Sequence, residues 1–341
     1  MTTYKAIHGK TIQSLASDPD SSAYEGQIWF NTTSSDYKTI VKVAGAWATG
    51  GNMVGKSEGG AMAGIQTAAI YGGGNRPGSD SSPDSEEYDG SAWAEGNNLN
   101  NGRRSLGSAG VQTAALAIGG KSGSPDTDKD FVESYNGTSW TEESADLNTA
   151  KSYNEGTGTS TAAITWSSGS TEQWNGSAWS EVAEMNTARN QSSGNTGTST
   201  AALAAGGTPP ATGKTETWDG TSWTEIADLN TAGGNLGGGG TTSLAIAFGG
   251  SPRDAVCEQF DGASWTEVGD LNTGRYNIRG CGTLSLALAA GGEPVSGEGN
   301  LTEEWNFTQT LAAGAWASGG NLGTARYMGG GAGTQTAGLL F

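Results

Sequence analysis

The stretch WDGTSWTEIADLNTA, residues 218–232, decides how this chain folds, because it does not occur once. It returns as YNGTSWTEESADLNTA at 135–150, WNGSAWSEVAEMNTA at 174–188 and FDGASWTEVGDLNTG at 260–274. Looser copies are YDGSAWAEGNNLNNG at 88–102, a truncated VAGAWATGGNM at 43–53, and WNFTQTLAAGAWASGGNLGTA at 305–325, which carries an insertion. The tryptophan that closes each copy falls at 47, 93, 140, 179, 223, 265 and 316. Self-similarity at intervals of 39 to 51 residues is the mark of an array in which each repeat is one supersecondary unit that buries its apolar face against its neighbours.

A second signature alternates with the first. It reads GVQTAALAIGG at 110–120, GTSTAALAAGG at 197–207, GTTSLAIAFGG at 240–250 and GTLSLALAAGG at 282–292. GIQTAAIYGGG at 64–74, the degraded GTSTAAITWSS at 158–168 and the terminal GTQTAGLLF at 333–341 belong to the same set. Short runs of small and apolar residues stopped by glycine pairs read as buried strands whose backbones lie close together. Each run is followed by a variable loop, then a Glu-x-aromatic strand, as at Glu133/Tyr135, Glu172/Trp174, Glu216/Trp218 and Glu258/Phe260. An Asx-Gly pair then leads to the Trp strand, the strongest short-range hairpin signal. Three or four strands per repeat is the count of a propeller blade.

Composition agrees. Glycine contributes 58 of 341 residues, roughly 17% against a usual share of about 7%. Only 15% of residues are charged, while 12 Trp, 9 Tyr and 6 Phe remain to pack. The net charge is −18, and it is unevenly spread: residues 1–60 hold five lysines and five acids, so the rest of the chain carries all of it. So acidic a surface repels phosphate backbones and argues against nucleic-acid binding. No 18-residue apolar run is present, which predicts no membrane insertion, and residues 1–25 lack the apolar region of a signal peptide. Cys257 and Cys281 make no disulfide framework and read as two buried thiols.

The double glycine, the aromatic and the Trp about five residues on, together with the MNTAR tail at 185–189, resemble the kelch family of β-propellers over residues 43–341. The resemblance implies an all-β, kelch-like propeller. Seven Trp strands and seven small-residue strands predict seven blades, the first Trp strand (26–53) and the last small-residue strand (325–341) together forming an N-/C-terminal closing blade that leaves no open sheet edge. Six blades with loose ends is the alternative count. Residues 1–25 lie outside the repeat and read as an arm.

The segment GQIWFNTTSSDYKTIVKVAGAW at 26–47 reads as a hairpin, with strand QIWFN, a polar turn at 32–36 and strand YKTIVKV. Through Gly26, Ile28, Trp29, Phe30, Asn31, Thr32, Lys42, Val43 and Trp47 it resembles a short module of bacteriophage tail-fibre and other virion proteins, and the Gly/Thr/Asn-rich array is similar to structural proteins of marine phages. The resemblance implies a virion localisation, assembly in the host cytoplasm, many copies per particle, and contacts with other virion proteins through the N-terminal segment. The residues expected to make that attachment are Tyr4, Lys5, His8, Lys10, Trp29 and Phe30.

Catalytic chemistry finds little support in the sequence. Kelch propellers include copper oxidases, but copper sites want imidazole ligands and the only histidine, His8, precedes the repeats. A Ser-His-Asp triad fails for the same reason. The adjacent Asp219 and Gly220 do not have the spacing of a sialidase Asp-box. A carboxylate that recurs in every repeat (Glu86, Glu133, Glu172, Glu216, Glu258, Glu303) is expected to cap backbone amides or to pair with the cations at 103, 151, 189, 275 and 326, with catalysis the lesser reading. Symmetry does not require non-repeated features, so these are the better binding candidates. Among them are the acidic loop residues Asp80, Asp84, Asp126, Asp128 and Asp130, of which the last three alternate in a way compatible with Ca²⁺ ligation, and the aromatics Tyr71, Tyr153, Trp166 and Tyr276. The expected function is therefore that of a non-enzymatic virion structural protein whose outer loops are available to a host-surface glycan or receptor.

Overall fold

The structure, a computed structural model, describes residues 13–15, 28–33, 36–39, 45–168, 170–252, 254–294, 299–307, 331–334 and 337–340. No helix occurs among the described residues. The chain divides into two compact units, one formed by Ala44–Thr308 and the other by Met1–Val43 with Gln309–Phe341.

Ala44–Thr308 is a six-bladed β-propeller. Each blade is a four-stranded antiparallel sheet. Blade 1 consists of Ala61–Ile65, Ala68–Gly72, Ser85–Tyr88 and Trp93–Glu95, and blades 2 to 5 repeat this order around an axis lined by the first strands. Blade 6 takes Arg279–Gly282, Leu286–Ala290 and Thr302–Asn306 from the end of the unit and its fourth strand, Ala46–Thr49, from the beginning.

Seven blades were expected, and the structure corrects the count to six. The reason is which Trp strand takes the sixth outer seat. In each blade an aromatic on strand three faces the Trp of strand four, with ring centroids 5.1 Å apart for Tyr88–Trp93, 5.0 Å for Tyr135–Trp140 and 5.3 Å for Trp174–Trp179. At the seam Trp305 is paired with Trp47, in register and 5.5 Å away, so Trp47 holds the place assigned to Trp316, which lies outside the described residues. The pairing expected between 26–53 and 325–341 is accordingly replaced, over 46–49, by pairing with Thr302–Asn306.

The core lies between blades. One cluster joins Leu116, Ile118 and Val132 of blade 2 to Ala163, Trp174 and Trp179 of blade 3, and another joins Ile246, Phe248 and Cys257 of blade 5 to Trp47, Ala287 and Trp305 of blade 6. Small residues on the second strands let aromatics from the next blade fill the wedge. The glycine pair that stops each second strand has a steric cause, seen at Gly119: its φ is 58°, and a Cβ there would lie 2.7 Å from the carbonyl oxygen of Lys151 in the segment leading to blade 3.

In the other unit, Ile28–Asn31 and Asp36–Thr39 form the antiparallel hairpin read from 26–47, and Gln13–Leu15 joins it in parallel beside Trp29–Asn31. Gly331–Thr334 and Ala337–Leu340 form a separate hairpin.

Candidate functional site

The recurrent Glu is the key to the joints between blades. Glu133 Oε2 accepts from the backbone N–H (2.7 Å) and side-chain amide (3.0 Å) of Asn100, and Oε1 accepts from the Asn101 N–H and from Arg103, with both ionic side chains fully buried. Asn100 also donates to the carbonyl of Trp140. Thus the linker from blade 1 clamps strands three and four of blade 2. Glu172 with Asn148, Thr149 and Lys151, Glu216 with Asn186, Thr187 and Arg189, and Glu303 with Asn272, Thr273 and Arg275 repeat the joint. Burial pushes the Glu216 carboxyl up, but the Arg189 guanidinium and the Asn186 and Thr187 amides outweigh it and hold the group below the usual carboxylate range. Burial also brings Arg275 down to about 10 against the opposing pull of Glu303. Carboxylates and cations held this way are joinery.

At the seam the joint is built differently. Ser57 stands where the linkers into blades 2, 4 and 6 have arginine, and its hydroxyl donates to the Gly73 carbonyl at 2.9 Å. Glu86 keeps two linker amides, from Val54 and Gly55, but its cation is Arg76, which comes from the loop between strands two and three of blade 1. Beside it a groove of about 490 Å³ opens between the loops of blades 6 and 1, lined among others by Lys56, Glu58, Arg76, Asp80, Glu293 and Pro294. Two buried polar atoms here, Glu58 Oε2 and Arg76 Nε, have no hydrogen-bond partner. Buried polar atoms are nearly always satisfied, so these two set the seam joint apart. The groove carries both signs of charge on a rim of glycine and proline.

The axis is closed by polar side chains. Arg279 of blade 6 donates to the carbonyls of Gly60 and Leu106 and, at 2.8 Å, to Glu155 of blade 3. Asn195 donates to the carbonyls of Met62 and Gly280. Burial raises the Glu155 carboxyl to about 7 although Arg279 opposes the shift.

Of the residues singled out in the sequence, only Asp80 lines the groove. Asp84 accepts from Ser82 and Asn98 and lies 3.7 Å from Arg76. Asp126 pairs with Arg104 and Lys121, and Asp128 accepts from Ser152. Asp126, Asp128 and Asp130 do not come together, and among the described residues no group of three His, Cys, Asp or Glu could hold a metal ion. Tyr71 and Trp166 prove to be core, at 0% and 1% exposure. Tyr71 accepts from the Gly60 N–H and Trp166 donates to Ser192, so neither is available to a ligand. Tyr153 lies under the Lys121 ammonium, 4.3 Å from its ring centroid, and Tyr276 pairs with Glu293 at the edge of blade 6. Tyr4, Lys5, His8 and Lys10 lie outside the described residues, while Trp29 and Phe30 are placed in a strand by their backbone. Cys257 and Cys281 are free and buried, and burial pushes both thiols up. The sequence reading missed Lys56, Glu58, Arg76 and Glu293 as groove residues. The signal that could have found them is the serine at 57 in a position where the repeat puts a cation.

No family model matches this chain, and no curated protein matches it. Among solved structures it is similar to one described as the structure of YjhT, with a TM-score of 0.63 and 12% identity over 76% of this chain and 96% of that one. At that identity the likeness speaks for the β-propeller fold alone.

Proposed function

We propose that this chain is a non-enzymatic virion protein in which a kelch-type propeller serves as a rigid scaffold and its loop face binds a host-surface glycan or protein. The observation that carries the binding role is the seam groove: it is the place where the repeat abandons its own joint and leaves two buried polar atoms unpartnered. Loops on a rigid scaffold are the usual seat of binding. The commitment of the recurrent carboxylates to linker amides supports the non-enzymatic reading. The virion setting rests on the resemblance of residues 26–47 to the tail-fibre module, and the same segment is the proposed attachment to other virion proteins.

Two measurements test this. Gold-labelled antibody against the chain should decorate purified particles; bare particles would remove the virion setting and leave a kelch-type binding module. The propeller should bind members of a glycan or host-protein array, and Arg76→Ala and Lys56→Ala should weaken that binding without a change of fold. Binding that survives both substitutions would move the site elsewhere.

A further inference from the structure

The innermost strands are tied at one end by a belt of main-chain hydrogen bonds. Just before strand one of each blade stands a residue in the left-handed backbone region: Gly59, Ser105, Tyr153, Gln191, Asn235 and Asn277, with φ from 52° to 65°. Their N–H and carbonyl groups link blade to blade around the axis. Gly59 donates to Asn277, Tyr153 to Ser105, Gln191 to Tyr153 and Asn235 to Gln191, while Leu106 donates to Gly59. Two residues further along their strands, Arg279 and Glu155 meet across the axis at 2.8 Å, so the belt surrounds a closed, polar floor.

Left-handed backbone is costly for a residue with a Cβ, and glycine removes the cost. Elsewhere this chain meets it with glycine: outside the belt, Asn195 is the one other non-glycine residue with positive φ among the described residues. In the belt five of six positions carry a side chain, although its bonds are main-chain bonds that glycine would make equally well. Nor does the repeat dictate the choice, since the six positions hold Gly, Ser, Tyr, Gln, Asn and Asn. Ser105 and Asn235 are buried, whereas Tyr153, Gln191 and Asn277 are partly open to solvent. Strain retained where side chains gather around one opening points to function.

We infer that the mouth of the axis at this belt is a second binding site and that it takes an uncharged sugar. None of the belt residues lines the seam groove. Their side chains present hydroxyl, phenol and carboxamide groups, which both donate and accept without carrying charge, and so match the hydroxyls of a sugar. The Tyr153 ring is held by the Lys121 ammonium, 4.3 Å from its centroid, and is therefore positioned before a ligand arrives. Tyr153, Gln191 and Asn277 come from blades 3, 4 and 6, so the site exists only in the closed ring.

The test is an array of neutral oligosaccharides probed with the full chain, read together with melting temperatures. The natural protein should bind members of the array. Gln191→Gly and Asn277→Gly should each weaken that binding by about tenfold, the loss of one well-made hydrogen bond. Both should melt no lower than the natural protein, because relief of the left-handed strain offsets the freedom glycine gains in the unfolded chain. Arg76→Ala, in the groove, should leave the neutral-sugar signal as it is, so the two sites can fail separately. A lower melting temperature in both glycine variants would make the belt side chains structural and overturn the inference. So would an array without bound neutral sugar, binding unchanged in both variants, or binding lost in Arg76→Ala.

Discussion

The joint between blades 1 and 2 and the joint between blades 6 and 1 hold the same carboxylate with cations from opposite sides. In the first, Arg103 comes from the linker, is wholly enclosed, and ties Glu133 to two carbonyls of blade 2. In the second, Arg76 comes from the variable loop, its side chain is 12% exposed, and the linker gives Glu86 the Val54 and Gly55 amides but has Ser57 in place of an arginine. One joint is closed and rigid; the other gives up a buried cation and gains a groove. A repeat protein thus makes an asymmetric site by changing where one charge comes from.

That contrast can be broken most severely at Arg103. Arg103→Ala leaves Glu133 buried without its cation, which costs about 3–5 kcal/mol, and urea denaturation should show a large fall in midpoint. A loss near that of Arg76→Ala would mean that the two joints are equivalent. Next comes the axis, where Arg279 braces the seam from within. The Glu155 carboxyl is raised from its ordinary 4.5 to about 7 by burial. Its folded form therefore holds a proton more tightly than the unfolded chain. The associated stability is fully present below about pH 4.5 and is lost as the pH rises through 7, a change of roughly 3 kcal/mol. Denaturation midpoints at intervals across this range should fall in the natural protein, and Glu155→Gln should remove that component of the fall. Arg76→Ala should cost less, about 1–2 kcal/mol, because Glu86 keeps the Val54 and Gly55 amides at 2.7 and 3.0 Å. The smallest effect belongs to the hairpin tips. Asp219 is held at about 2 by the Thr221 hydroxyl and the Ser222 and Thr221 amides. Asp219→Asn should leave the midpoint at neutral pH unchanged, since Asn136 and Asn175 accept the same pair of amides in blades 2 and 3.

The blade was legible because its physics is local. Glycine pairs, Asx-Gly turns and a Trp five residues from an aromatic lie within one sheet, and the recurrent Glu could be read as structural from its recurrence. The blade count was not legible from spacing. Trp47 and Trp316 sit in nearly identical stretches, AGAWATGGN and AGAWASGGN, and a pattern does not say which of two equal strands finds the free edge of Thr302–Asn306. Depth was also hidden. Tyr71 and Trp166 look irregular against Ala117 and Ile118 at the same strand positions, yet each fills a wedge between blades. Nor could the sequence show that the indole N–H of Trp93 and Trp140 reaches the residue before Glu in the preceding blade. Trp93 finds Thr302 at 2.9 Å and Trp140 finds Ser85 at 3.4 Å, whereas the indole N–H groups of Trp179, Trp223 and Trp265 stay unpartnered. That contact crosses between repeats, where a period read along one chain carries no information.

The seam strand also has a mechanical consequence. Ala46 lies opposite Asn306 in the antiparallel pairing of Ala46–Thr49 with Thr302–Asn306, so the chain enters and leaves the ring at one end of a single ladder. Tension drawn between those two points meets the ladder's bonds one after another, as a zipper is opened, and never loads them together in shear. The other five blades sit outside the line of force. Under traction the ring should yield first at its closing strand, at low force and reversibly, with the remaining sheets intact as a template for the strand to return.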